Sequence, residues 1–581
     1  MLAMSGMVRG SRLRGMLVTS TVVVGFAGMS SCIDQDPIGG SEIALDADDI
    51  GGVVTSADGP EAGVWVVAET TDLPTRFIRI VATDDEGRYV LPDLPQASYE
   101  VFVRGYGLVD SPRVSASPGQ ALDLDGVVAP DARAAAQVYP AAWWLSMLEL
   151  PEGELSQQAL GSSVTGCLNC HQVGNRATRE IPGDILRASD SHLEAWDRRV
   201  TMGPMGGGMN GMYRRLGDQR RMFADWTDRI AAGEAPTQTP PRPTGIERNV
   251  VVTLWDWGTE TDGRTDSAAS DVRDATVNAN GLVYGVVQPS DILAVLDPVE
   301  HRASVINIPS NGPEIQTDTP ASPYWGDDDV WARRSDPRSV AMDGDGRVWL
   351  TGRVRGVDAQ PDFCTDVANA FADFYPLARG TRQVFMYDPV TEAFSEIDTC
   401  FSADHNQISE DDDIYYGFTG GLGWIDIDIW DETQDAEAAQ GWCPGVVDTN
   451  GDGVITRGWT EPTDAIDPIR DHRIRVSCYS PAVNPADGSV WCSGNGQRDN
   501  KLVRIDLGEN PPESCIAEVY EPPVSVTSPA AYGSGGLHFT SDGIAWQDWR
   551  GSGHFAAFDR SLCADRADPE AAGQICPEGW T

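Results

Sequence analysis

The sequence predicts a mostly β, multidomain protein, and three observations carry that reading. Residues 50–128 and most of 245–581 are divided by turn-formers into short runs with the alternating period of strands. The C-terminal region repeats a strand–turn–strand unit with an aromatic residue in its second strand, five times over, as the blades of a β-propeller would. Between these β regions, 161–236 has helical periodicity and contains Cys167-Leu168-Asn169-Cys170-His171. At 581 residues with 41% hydrophobic content, the chain has enough apolar material for several packed cores. Its formal charge of −46 would repel phosphates, which excludes nucleic acid as a partner and a polybasic membrane-surface mode.

Residues 1–32 read as an export signal. Arg9, Arg12 and Arg14 precede an apolar run from about Met16 to Gly28, which is too short to span a bilayer. Met29-Ser30-Ser31-Cys32 follows and resembles a bacterial lipoprotein signal, with Met29 where leucine is usual. The resemblance implies lipidation of Cys32, a membrane association through that anchor only, and a location in the cell envelope facing the periplasm or cell surface. Residues 33–49, acidic with Gly and Pro, make a tether.

Residues 50–128 give an antiparallel sandwich by alternation and turn spacing. Gly51-Gly52-Val53-Val54, Gly63-Val64-Trp65-Val66-Val67-Ala68, Thr83–Tyr89 with Leu91-Pro92-Asp93-Leu94, and Tyr99–Val103 are its strands and turns. That succession resembles the carboxypeptidase regulatory-like domain, which implies a prealbumin-like fold and a spacer or binding module without peptidase activity. A carbohydrate ligand would follow by fold analogy alone. Asp84–Glu86 reads as a solvated turn.

Residues 129–160 read as a linker with helical patches at Trp143-Trp144-Leu145, and 161–236 as a small cytochrome c-like haem segment. Cys-x-x-Cys-His is the attachment signature of c-type haem: two thiols add to the vinyl groups and His171 takes an axial position on iron. A bare Cys-x-x-Cys also serves zinc or disulfide chemistry, but no second one exists to complete a zinc cluster. Downstream, Met212–Ala232 has the periodicity of a terminal helix stopped by Gly233, with Leu216, Met222, Phe223, Trp226 and Ile230 on one face. The glycine-rich loop before it offers a thioether as distal ligand: Met209 first, then Met205, with Met202 not excluded and His192 the rival. Pro182 is placed to offer its carbonyl to the proximal imidazole.

After the linker 235–243, residues 245–581 contain the five repeats. They run Arg273–Tyr284, Arg338–Trp349, His405–Tyr416, Ser480–Trp491 and Gly535–Trp546, with strands ending at Asp297, Asp388, Asp506 and Asp559 between them. They predict a propeller of five to seven blades, with Asn249–Gly258 as a further blade or the closing strand. The blades resemble those of streptogramin-lyase-like propellers. No match to that family's His/Glu acid–base pair is evident, Glu410 being a loose candidate. Arg273, Arg338 and His405 share one register and would face one funnel mouth, the candidate ligand or catalytic site, unless they are three unrelated strand starts.

An insert carries Asp448-Thr449-Asn450-Gly451-Asp452-Gly453-Val454-Ile455-Thr456, which matches an EF-hand-type calcium loop in its oxygen positions and glycine. Asp448, Asn450, Asp452, Val454 and Thr456 are the expected ligands. Position 12 is Trp459, so Glu461 is expected to supply the last carboxylate. Of eleven cysteines, eight remain after Cys32, Cys167 and Cys170, an even set suited to an oxidising compartment. Cys478–Cys492 is the first-choice pair, then Cys364–Cys400 and Cys563–Cys576.

Three functions fit this order. The first is electron transfer through one covalent haem c, with a redox protein or small molecule as donor. The second is a propeller enzyme, oxidoreductase or lyase-like, with the haem as electron outlet. The third is a surface protein that binds carbohydrate or peptide and holds a structural haem.

Overall fold

Strand pairing gives separate sheets in the N-terminal and C-terminal β regions, and it departs from the sequence reading at two junctions. The computed structural model describes residues 43–581 apart from 151–163, 165, 169–170, 203–205, 259–267, 270–273, 275, 310–334, 354–355, 357–358, 375–380, 419, 476–477, 495–500, 524–530, 532, 550–551 and 564–575. The signal, Cys32 and most of the tether therefore lie outside the described residues, as do Cys170, Met205 and Arg273. No helix among the described residues is long and apolar enough to cross a membrane.

The N-terminal β region has two sheets around one core of Ile50, Val54, Val66, Phe77, Tyr89 and Tyr99. In the first sheet, Ile50–Ser56 pairs antiparallel with Arg88–Leu91 and parallel with Gln120–Ala121 and Leu124–Asp125. The second runs Val252–Trp255, Phe77–Ala82, Trp65–Thr70, Tyr99–Arg104, Val114–Ala116. The turn at Asp84 is held by that carboxylate, which accepts from the amides of Glu86 and Arg88.

Val252–Trp255 is the first exception. It was expected in the propeller, and instead pairs antiparallel with Phe77–Ala82, bringing Trp255 opposite Phe77. The physical reason is aromatic packing: Trp255 lies edge-on to Phe77 at 5.7 Å and stacks on His301, to whose Nδ1 its indole N–H donates at 3.2 Å. One edge strand thus ties the N-terminal sheet to the start of the propeller region.

The second exception is the linker. Ala135, Ala136, Tyr139 and Trp144, expected to bridge domains, are buried in the core of the helical segment with Trp196, Tyr213, Phe223 and Trp226. Two indoles hold the bridge: Trp144 donates to the Ala136 carbonyl and Trp226 to that of Trp144, both at 2.9 Å. The expected terminal helix is also shorter. Helices span Gly206–Arg214 and Arg221–Ala231, separated by a 3-10 turn at Gly217–Arg220, where Gly217 takes φ +54°. Gly233, at φ +112°, does end the second helix, and the Glu234 amide returns to the Arg229 carbonyl.

The C-terminal region is a β-propeller, with five antiparallel blades among the described residues. Their first strands are Ala268–Ala269, Arg338–Met342, Asn406–Ile408, Ser480–Val483 and Ser534–Phe539, each beside the next. Four blades have four strands. The fifth has three, and Gly579–Thr581 completes its edge, Ala557 and Thr581 exchanging both backbone hydrogen bonds. The repeat chemistry has a structural cause in each blade. Trp349 and Trp491 are buried and donate to Asp343 and Ser489 at the turn. Asp297, Asp388, Asp506 and Asp559 each cap the following turn by accepting a backbone amide. In the third blade the equivalent Asp426 caps the helix Ile427–Thr433 instead.

Candidate functional site

Two places collect chemically capable side chains, and they are built in opposite ways. In the helical segment the groups lie close in sequence. Cys167 is helical, and the His171 amide donates to its carbonyl at 2.9 Å, so thiol and imidazole stand one turn apart. Cys167, Met202 and Met209 are partly buried against the same core as Trp144, Trp196 and Trp226. Met209 lies within the helix Gly206–Arg214, whereas the sequence suggested a loop; three consecutive glycines do not prevent a helix that packs Tyr213 into the core.

His171 is exposed, but surrounding protein and then the Arg199 guanidinium push its pKa down, favouring the neutral, ligating imidazole. His192 is placed differently. Its Nδ1 lies 3.2 Å from Thr227 Oγ1 and its Nε2 3.5 Å from Asp228 Oδ1. Both ring nitrogens thus have a polar neighbour. The Pro182 carbonyl accepts from the Leu186 amide at 3.0 Å, as the first acceptor of the helix Gly183–Arg187. A thiol and a thioether on one apolar core, with an exposed imidazole one turn from the thiol, make a donor set of the kind a covalent haem would take.

At the propeller mouth the groups come from distant strands. Arg338, at the start of the second blade, lies 3.6 Å from Asp404, and His405 lies 3.8 Å from the same carboxylate. Two of the three residues in the predicted register are thus brought together by an aspartate that the register did not include. The His405 ring also contacts Tyr479 of the next blade, centroids 4.1 Å apart. Glu410 is exposed in the turn beyond the far end of Asn406–Ile408, away from this group.

Behind this pair lies a deeper one. Arg353 and Arg382 stand directly opposite each other on adjacent strands, an arrangement that repels. Asp336, 2% exposed, separates them: Arg382 forms a charge-assisted hydrogen bond to its carboxylate, and Arg353 approaches at 3.5 Å. Asp291 of the first blade fixes the loop, accepting from the Ser335 and Asp336 amides at 3.1 and 2.9 Å. Burial lowers the Arg382 pKa to about 10 despite Asp336, while Arg338 and Asp404 also act on it electrostatically. The two pairs therefore form one charge cluster.

Sequence reasoning missed Asp336, Arg353, Arg382, Asp404 and Tyr479. Asp404 alone carried a readable signal, as the neighbour of His405. The others occupy strand ends or loops outside the repeated unit, and only strand pairing unites them.

Among the described residues there are four disulfides, Cys364–Cys400, Cys443–Cys515, Cys478–Cys492 and Cys563–Cys576. Three match the expected pairs, and the fourth joins the two cysteines those left among neighbouring blades. In the insert, Asp448 accepts from the amides of Gly451 and Gly453, Asn450 from that of Asp452, and Asp452 from that of Val454. Thr456 donates its amide to Asp471 at 2.7 Å. Glu461 does not join this loop: its carboxylate is bonded to Arg473, on the strand His472–Arg473.

No family model matches the chain, and no curated protein does. Among solved structures, virginiamycin B lyase from Staphylococcus aureus is similar at 11% identity and TM-score 0.28, over 49% of this chain and 65% of that one. YCF48 bound to D1 peptide is similar at 10% identity and TM-score 0.29, over 56% and 69%. Regucalcin from Agrobacterium tumefaciens is similar at 11% and 0.25, over 51% and 71%. This chain thus spans under two thirds of the lyase's length. At such scores the likenesses say nothing of activity, and the propeller rests on its own strand order.

Proposed function

We propose that the chain is an exported electron carrier with one haem c, held covalently by Cys167 and Cys170 and ligated by His171 and Met209. The observation that carries this reading is the turn joining Cys167 to His171, with Cys167 and Met209 on one hydrophobic core. When bound, the haem would supply one-electron chemistry, and a thioether ligand raises its potential relative to two histidines. The rest of the segment serves that task. Its tryptophan core would exclude water, and the contacts of His192 with Thr227 and Asp228 favour a methionine at the distal position. In the same reading Cys32 is lipidated, the two-sheet module is a regulatory-like spacer, and the protein faces the periplasm or cell surface.

The test is Cys167→Ala with Cys170→Ala in the full chain. Covalent haem staining of the denatured protein should vanish, and staining that persists would refute the attachment site. Met209→Ala should remove the weak near-infrared sulfur–iron band. An unchanged band would move the ligand to Met202 or Met205.

A second reading has its own support: the cluster of Arg338, Asp404, His405 and Arg382 at the propeller mouth suits an anionic or polar ligand, whose oxidation would pass electrons to the haem. Reversible redox titration shifted by a candidate ligand, and insensitive to it in Arg338→Ala, would favour this second reading.

A further inference from the structure

The insert after the third blade contains an acidic side chain that neither the haem nor the propeller mouth uses. Asp471 is 1% exposed, yet its Oδ1 is buried without a hydrogen-bond partner. Its Oδ2 accepts from the Thr456 amide, at the end of the loop that begins at Asp448. Burying a carboxylate oxygen with no partner costs several kcal/mol, so chains rarely leave one so. The carboxylates of Asp448 and Asp452, both negative, act on Asp471 electrostatically. Each of these facts worsens the position of the carboxylate unless a cation is present.

We propose that one calcium ion binds between this loop and Asp471, with Asp448, Asn450, Asp452 and the Val454 carbonyl as loop ligands and Asp471 as the remote carboxylate. Asp471 thereby takes the role that spacing gave to Glu461, which is committed to Arg473. The ligand class is hard oxygen: carboxylates, an amide and a carbonyl, a mixture that suits calcium better than the smaller, water-retaining magnesium.

The ion would act as a clip. The loop is fixed at one end, where Ile455 is buried and its amide donates to the Glu513 carbonyl, two residues before Cys515. Asp471 directly precedes the strand His472–Arg473, which pairs with Val446–Val447. A cation shared by loop and Asp471 closes the long excursion between those strands. It would hold the insert against the edge of the fourth blade.

Equilibrium dialysis of the full chain against radioactive calcium tests the proposal, with magnesium in excess to suppress diffuse binding to a strongly acidic surface. One saturable ion per chain is expected. Asp471→Asn should weaken it by about ten-fold or more, and Glu461→Gln should change it by less than about two-fold. Equal uptake by the wild type and Asp471→Asn would mean surface binding only and would overturn the site. Loss in Glu461→Gln with retention in Asp471→Asn would overturn the assignment of the remote ligand. Should Asp471→Asn fail to fold, trypsin mapping of the wild type decides. Calcium must slow cleavage after Arg470 as well as after Arg457, and protection of Arg457 alone would refute the link to Asp471.

Discussion

The helical segment and the propeller mouth solve the same problem, holding reactive side chains in place, with opposite materials. In the helical segment the reactive groups are few, lie within about a dozen helical turns of sequence, and rest on an apolar core of tryptophans. At the mouth they are charged, come from two blades, and are held by one another. An apolar support tolerates loss of one reactive group, because the core survives it. A support made of compensating charges does not, because each member is the solvent of the next.

The sharpest way to break that comparison is Asp336→Asn. Asparagine keeps the shape and tolerates the left-handed backbone that Asp336 adopts, φ +47°, so the change isolates the charge. It leaves Arg353 and Arg382 facing each other with no anion between them. We expect a loss of about 3–5 kcal/mol in denaturant unfolding, the range for an orphaned buried charge. Adding Arg382→Met should recover most of it. Failure of the second change to rescue would show that Asp336 acts through the backbone and not through Arg382. Met209→Ala, by contrast, should leave the unfolding of the helical segment far closer to wild type while altering the proposed haem ligation.

The same contrast explains what was legible in the sequence. Cys167, Cys170 and His171 read as a motif because the covalent haem attachment proposed for them would need residues close together in the chain. The blades were legible because each repeats a local unit, the turn capped by Asp297 or Asp388 and the buried Trp349 or Trp491. Arg382 and Asp336 lie 46 residues apart, and nothing about either alone marks it. Val252–Trp255 was misplaced for a related reason: its alternation specifies a strand but not the partner, and Phe77 lies far upstream. Asp471 was missed because a loop motif points to an acid at a fixed offset, whereas the carboxylate that meets the loop directly precedes the returning strand.

A smaller effect tests whether the mouth is mechanically coupled to the disulfides beside it. Cys478–Cys492 closes a separation of 14 residues, and Tyr479, next to Cys478, contacts the His405 ring. The second strand of the third blade passes so close to Cys478 that a side chain at Gly417 would meet its carbonyl oxygen. Replacing both cysteines by serine should cost about 3 kcal/mol, since the unfolded chain is released from a short loop. Hydrogen exchange should rise around Tyr479 and His405 and stay unchanged across 206–231. Equal loosening of both regions would mean that they fold as one cooperative unit, and the contrast between them would be one of chemistry alone.

The least of the expected effects lies at the turn of the third blade, where acids gather without arginines. Asp413 has its pKa raised to about 6, by burial first and then by Asp426, Asp411, Asp428 and Asp412. A carboxyl raised in the folded state is stabilising when protonated. Its contribution is fully present below the unfolded value near 4 and is lost as pH rises through about 6. Asp413 is partly exposed, so solvent screening reduces the full linkage figure to about 1–2 kcal/mol. Asp413→Asn should therefore stabilise the protein by that amount at pH 7 and by almost nothing at pH 4, read from urea midpoints at the two values. A gain of equal size at both would assign the effect to packing rather than charge. The sign is the opposite of that for Asp336→Asn, and the reason is the neighbours: removing a negative charge destabilises where it separates two arginines and stabilises where it adds to four other carboxylates.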